Sequence, residues 1–393
     1  MRTLLLILHR WAALTIALVL VVTGATGAIL PYQRELSHWL APGISQVERP
    51  GPTAVPLSGL ELARRIEAET GGAVSYIPLT LATDRTHAIF VSPQPDGSSL
   101  EYDEVFVDPF SGQIRARVTY GDLRDGPVNW MPFLVSFHYS LAAGEWGRLL
   151  LGVAALVWFL VALIGLALSL PKKIGIRGFW RRWWPAWAVR RGQGTIVLTH
   201  DFHRATGLWL WPVMLVFAWS AVAFNLDQVH RPVQRFFGAE GLYRPVSNPA
   251  PAEGAAMSWE RAIAHGEQLM AREAERGGFD VHRPEALSLA PHANAIGYYA
   301  RTSLDEPSEN GSTVVWFDQV SGAQLGFGKP YGSTAADAID KTVRVLHTAD
   351  GLGWPYRVFV SLFGLLTAGM ALAGVVLWVR RSRRLPKVVS ALS

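Results

Sequence analysis

Two His-Arg pairs, His9-Arg10 and His203-Arg204, each stand at the mouth of a long apolar run. Imidazole is a common axial ligand of haem iron. Two imidazoles at the same end of two membrane helices could therefore hold one porphyrin between them. A second pair, His138 and His347, lies further along each half. Each is followed at the same separation by an arginine, Arg148 and Arg357. His138 shares a helical face with Leu134, Phe137 and Leu141, and His347 lies with Ile339, Val343 and Leu346. A polar ring on an apolar face costs free energy unless it finds a partner, and porphyrin iron is such a partner. The expected ligand pairs are His9 with His203 and His138 with His347. His200, three residues before His203, is the alternative ligand, a proton-path residue or a cap for the helix start. Guanidinium binds carboxylate well, so Arg10, Arg204, Arg148 and Arg357 are candidates for the propionates. Arg10 and Arg204 would serve equally as positive anchors at a membrane surface. His38, His87, His230, His265, His282 and His292 have no matched partner and read as surface residues. Pairs of histidine without nearby carboxylate or cysteine make a poor zinc site.

These side chains need membrane helices to position them, and the composition supplies them. Of 393 residues, 50% are hydrophobic, 17% are charged and 16 are tryptophan. A soluble chain of this size carries about 25% charged residues. Four runs, residues 11–30, 149–170, 208–226 and 358–379, contain no charged side chain, and each approaches the roughly 20 residues that span a bilayer. The first also resembles a signal-peptide core, but its length and the His9-Arg10 start argue against cleavage. The segment 171–199 carries seven Lys and Arg and no acid, and the tail after Val379 is also purely basic. The two long segments between spans have more acids than bases. The positive-inside rule then puts both termini and the short loop in the cytoplasm, with the long segments outside. The net charge of +5 belongs to membrane-flanking residues, with a tryptophan belt among them, and does not point to nucleic acid. The absence of cysteine excludes disulfides, iron–sulfur clusters and covalent c-type haem.

The two halves follow one plan. Ser58 and Ser258 each read as the N-cap of an amphipathic helix, over residues 58–69 and 258–275. Strands are expected at 88–91, 105–107 and 113–120, and again at 295–301 and 313–317. Asp108-Pro109-Phe110-Ser111-Gly112 matches Asp318-Gln319-Val320-Ser321-Gly322. Both are hairpin turns in which Asp accepts backbone N–H bonds and Gly takes positive φ. The expected fold is an α-helical four-span bundle with two outer α+β modules, built by internal duplication about an axis along the membrane normal. Its units are a first span (1–30), a first module (31–130), an outer amphipathic helix with the second span (131–170) and a basic loop (171–199). A third span (200–226), a second module (227–335), an outer helix with the fourth span (336–379) and a tail (380–393) follow.

The segments Leu8-His9-Arg10-Trp11, His138-Tyr139-Ser140-Leu141, His200-Asp201-Phe202-His203-Arg204 with Gly207-Leu208-Trp209, and His347 with Gly353 and Trp378 resemble the PepSY-associated transmembrane family. The family includes iron-regulated inner-membrane proteins and a di-haem siderophore reductase. The resemblance implies two periplasmic PepSY-like domains, two b-type haems, an inner-membrane location and electron delivery to a ferric siderophore or other ferric chelate. The outer histidines are followed by unlike residues, Tyr139-Ser140-Leu141 against Thr348-Ala349-Asp350. No dinucleotide-binding Gly motif follows a strand, so the electron donor is expected to be a quinol or a separate cytoplasmic reductase. Trp130, Tyr331 and Trp354 are candidate substrate-facing aromatics. The rival reading is a non-enzymatic, membrane-anchored PepSY module that binds or regulates another protein. A rocking transporter is the weaker alternative, because the spans carry no acid, although Pro212 could kink the third.

Overall fold

The computed structural model describes residues 1–93, 99–172, 177–240, 252–290, 293–305 and 311–382. Long uncharged runs of Leu, Val and Ala can satisfy every backbone group inside lipid only by coiling. Helices α1 (Arg2–Gly27), α6 (Gly144–Ser169) and α13 (Gly353–Ser382) do so, and each is long and apolar enough to cross a membrane. Twenty-six residues in α1 and α6 give about 39 Å of helix. Helices α1 and α13 touch backbone to backbone. A Cβ placed on Gly24 would lie 2.6 Å from the Gly364 carbonyl oxygen, so only the missing side chains permit the crossing.

The span expected at residues 208–226 is not one straight helix. It is divided between α8 (Thr195–Trp209) and α9 (Trp211–Asn225), which meet at 71°. The break falls at Leu210, just before Pro212, whose ring cannot donate to or pack under the preceding turn. The bent pair counts as a fourth crossing only if both halves form one span.

Short helices join these helices to two antiparallel sheets: α2 (Gln33–Leu40), α3 (Pro42–Ser45), α5 (Trp130–Ser140), α10 (Asp227–Phe236) and α12 (Ala335–Thr348). Helix α7 (Phe179–Trp183) lies in the loop at the opposite end of the spans, the loop end. The first sheet runs β1-β3-β4-β5, from β1 (Gly72–Val74), β3 (His87–Pro93), β4 (Glu104–Val107) and β5 (Ile114–Val118). The second runs β2-β6-β7-β8-β9, from β2 (Tyr76–Pro78), β6 (Val281–Ala290), β7 (Ala295–Thr302), β8 (Thr313–Asp318) and β9 (Gln324–Gly328). Strands β1, β2, β6 and β9 had no counterpart among the expected strands. The first two are only three residues long, and β6 carries His, Arg, Pro and Glu, so neither alternation nor apolar runs mark them.

The two segments expected to fold as separate modules are joined. Strand β2 comes from the first segment yet pairs with β6 of the second, Tyr76 opposite Ser288, Ile77 opposite Leu287 and Pro78 opposite Ala286. Helices α4 (Gly59–Thr70) and α11 (Trp259–Gly277) cover one continuous core, in which Leu62, Ile66 and Val105 pack with Met270, Leu287 and Phe317. The Ser58 and Ser258 side chains accept from the N–H groups of Glu61 and Arg261, satisfying donors the helix start leaves over. In the turns, Asp108 accepts from Phe110 and Ser111, and Asp318 from Val320 and Ser321. Burial pushes the Asp108 carboxyl up, but these N–H groups and Arg115 outweigh it and hold the group below the usual range.

Candidate metal centres

Four imidazoles gather into two pairs. His9 on α1 faces His203 on α8, with ring centres 6.3 Å apart and planes at 77°. His138 on α5 faces His347 on α12, at 6.4 Å and 71°. With imidazole–metal bonds of about 2.0–2.1 Å and roughly 1.1 Å from nitrogen to ring centre, both rings of a pair at this separation would reach one metal ion. Among the described residues no three His, Asp or Glu side chains form a metal cage. The donor set is two imidazoles at each level, which suits a metal whose other ligands come from a macrocycle.

The surroundings decide which ring nitrogen is free. His9 Nδ1 lies 3.2 Å from the Val161 carbonyl of α6, and His203 Nδ1 lies 2.9 Å from the Met370 carbonyl of α13. A carbonyl can only accept, so Nδ1 carries the proton and Nε2 keeps its lone pair. At the sheet end the partners are hydroxyls, Thr26 at 2.8 Å from His138 Nδ1 and Ser220 at 2.5 Å from His347 Nδ1. Thr26 already donates to the Val22 carbonyl and Ser220 to that of Phe217. Their oxygens are left to accept, so the same tautomer results. A fixed Nδ1–H partner both orients a ligating imidazole and raises its basicity.

The backbone leaves room at three of the four rings. A Cβ on Gly27 would lie 2.9 Å from His138 Cε1, one on Gly165 3.2 Å from His9 Cε1, and one on Gly374 3.4 Å from His203 Cε1. The sheet-end pair opens on a cavity of about 660 Å³, inside the roughly 300–1,000 Å³ range of cofactor and ligand sites. Phe217 stacks on His347 at 4.8 Å and Phe224 meets it edge-on at 5.4 Å. Two polar atoms of cavity-lining residues, Trp158 Nε1 and Thr367 Oγ1, are buried without a hydrogen-bond partner. Such orphans mark a surface completed by something bound. The apolar walls, the free Nε2 atoms and the glycine clearances together fit a flat, largely apolar macrocycle.

The remaining site candidates divide. Arg148 lines the cavity, donating to the Phe224 carbonyl and pairing with Glu145 at 3.1 Å. Arg357 pairs with Glu35 at 2.5 Å. Arg10 has no ion pair among the described residues, so its guanidinium is unengaged by acid there. Arg204 is engaged on the loop side. It donates to the carbonyls of Pro185 and Ala186 and to Asp201. Asp201 is fully buried and also takes Arg190 at 2.7 Å, so the His-Asp-Phe-His-Arg stretch ties the basic loop to α8. His200 sits 3.3 Å from Asp201 and is half-exposed, so His203 and not His200 faces His9.

Three of the histidines read as surface residues are not. His230 is 1% exposed and lies 3.0 Å from Asp340, which also pairs with Arg344. His265 Nε2 donates to the Gly322 carbonyl, bracing the Asp318 turn. His87 reaches the Ala82 carbonyl. For His230 and His265 a buried partner from distant sequence holds the ring; the His87 partner lies only five residues away. His282 is exposed, and His292 lies outside the described residues. Trp130 and Trp354 are exposed, at 49% and 70%. Tyr331 follows β9 in a turn, apart from the cavity lining. Thr26 and Ser220 were missed in the sequence, although the interval from His9 to Thr26 equals that from His203 to Ser220.

Helices able to cross a membrane, combined with two sheets, define a multi-pass membrane protein with sheet-rich domains. The family model of the PepSY-associated TM region matches residues 6–381, nearly the whole chain, and the protein belongs to that family. None of the curated proteins compared with the chain matches it.

Proposed function

We propose that the chain is a di-haem b electron-transfer protein of a bacterial inner membrane that reduces a ferric siderophore or similar ferric chelate on the periplasmic side. The observation that carries this reading is the pairing of His9 with His203 and of His138 with His347, each with Nδ1 fixed and Nε2 free. Bound there, two b-type haems would supply one-electron redox centres at two depths of the bilayer. The chain's own part is to hold the four imidazoles in one tautomer, to exclude water with Phe217, Phe224 and Phe363, and to offer Arg148 at the cavity edge to a propionate carboxylate. Reduction of a hard-oxygen Fe(III) chelate to Fe(II) weakens its binding and frees the iron.

The basic loop between α6 and α8 is the cytoplasmic side on this reading, and the sheets face the periplasm. The bent α8–α9 pair is the fourth span. The shared order of His-Arg, span, helix, strands, histidine and span reflects duplication. The Ile77–Leu287 pair at the centre of the β2–β6 ladder lies where equivalent segments of the two halves meet.

Reduced-minus-oxidised spectroscopy of the purified protein with haem quantification tests the proposal. Two haems per chain, reoxidised by a ferric chelate, are expected. A chain that binds none, while its sheets bind a protein partner, would favour the non-enzymatic PepSY module.

A further inference from the structure

The interval that separates His138 from His347 also separates Val161 from Met370, Gly165 from Gly374, and Trp158 from Thr367. The first two sets keep equal roles. Val161 and Met370 hold the loop-end imidazoles through their carbonyls, and the two glycines make room for those rings. At the third set the match ends, with a large indole opposite a small hydroxyl.

Trp158 lies between the centres. It is three residues from Val161 on α6, about 4.5 Å of helix, so it stands one turn from the carbonyl that fixes His9. It also lines the cavity between His138 and His347. It packs against two of the apolar clusters of the helix bundle, the one with Phe217, Phe363 and Met370 and the one with Ile16, Leu20 and Ala154. Thr367 stands in the corresponding place, one turn from Met370, and lines the same cavity.

Resting on the di-haem reading above, we infer that Trp158 is the bridge between the two redox centres, the residue whose π system couples them electronically across the membrane's middle. With haems bound, one electron would pass from Fe(II) at the His9/His203 centre, leaving Fe(III), to Fe(III) at the His138/His347 centre, giving Fe(II). The indole stays neutral and no proton moves. Filled, aromatic space couples two centres better than saturated chain or a void does. Trp158 is thus a positioning residue: it ligates neither iron and sets the rate of transfer between them.

The test is rapid-mixing reduction of the full-length haem-loaded protein in vesicles, with dithionite supplied on one side only. Reduction of the nearer centre gives a fast optical phase and transfer to the farther centre a slow one. In protein that keeps two haems, Trp158→Leu is expected to slow the slow phase several-fold, beyond what any change in the two measured midpoint potentials accounts for, and to leave the fast phase as it is. Trp158→Phe should stay close to wild type. A Leu variant that keeps both haems and transfers at the wild-type rate overturns the inference. If Leu empties a site, the double exchange Trp158→Thr with Thr367→Trp decides, since it restores volume and an indole from the other helix. A wild-type slow phase there supports the bridge, and a slow phase that is absent or several-fold slower overturns it. A wild-type protein that binds no haem refutes the di-haem reading itself, a separate result.

Discussion

Replacing Thr26 by Val and Ser220 by Ala removes the two hydroxyl acceptors at the sheet end with little change of volume. His138 and His347 then lose their hydroxyl partners at 2.8 and 2.5 Å and keep only the backbone carbonyls of Thr23 and Phe217. Loss of an outer partner of a ligating histidine typically costs about 10–100-fold in affinity. Each single variant is therefore expected to weaken retention of the sheet-end haem by about one order of magnitude, and the pair by more. The loop-end centre is the internal control. Its histidines lean on the carbonyls of Val161 and Met370, which side-chain substitution leaves in place. The assay is transfer of haem to excess apomyoglobin, followed optically. Wild type should lose its haems at rates the variants change for one haem only. Equal loss of both haems, or no change in either, would refute the assignment of Thr26 and Ser220 as the groups that fix these rings.

Gly27→Leu should abolish the sheet-end haem alone, and Gly165→Leu the loop-end haem alone, because each new Cβ crowds the Cε1 of a ligand. Haem per chain should fall from two to one in either variant. Asp201→Ala leaves Arg190 and Arg204 without their shared carboxylate, so the loop should detach and trypsin should cut at Arg190 or Arg191 faster than in wild type. Glu104 is 4% exposed, with one carboxylate oxygen lacking a partner, and burial followed by the nearby Asp103 raises it from 4.5 to about 7. The raised folded-state value means the protonated form is favoured in the fold. Its contribution is whole below pH 4.5 and is lost as pH climbs towards 7. At roughly 1.4 kcal/mol per pH unit the loss approaches about 3 kcal/mol. Glu104→Gln should thus melt higher than wild type at pH 8 and match it at pH 4.5; a constant difference at both pH values would count against a titrating Glu104.

Much of the site was legible because matched spacing survives folding. Two His-Arg pairs, and two later histidines each followed at the same separation by an arginine, marked the same four imidazoles that the structure brings within 6.3 and 6.4 Å. Caps and turns were legible too, since Ser58, Ser258, Asp108 and Asp318 satisfy donors only a few residues away. Long-range partners were not. Nothing in the string near His230 announces Asp340, and nothing near β2 announces β6.

From the order of its residues alone, the chain determined where apolar helices run, which histidines match and how its turns close, because those properties depend on neighbours within a few turns of backbone. Tertiary structure decided the rest. It bent the third apolar run at Leu210, joined the two sheet segments through β2 and β6, and turned Arg204 toward the loop. It also chose the hydroxyls and carbonyls that hold each ring. Each of these outcomes is set by contacts between residues far apart in sequence, where shape and unmet hydrogen-bonding groups, rather than local preference, determine the free energy.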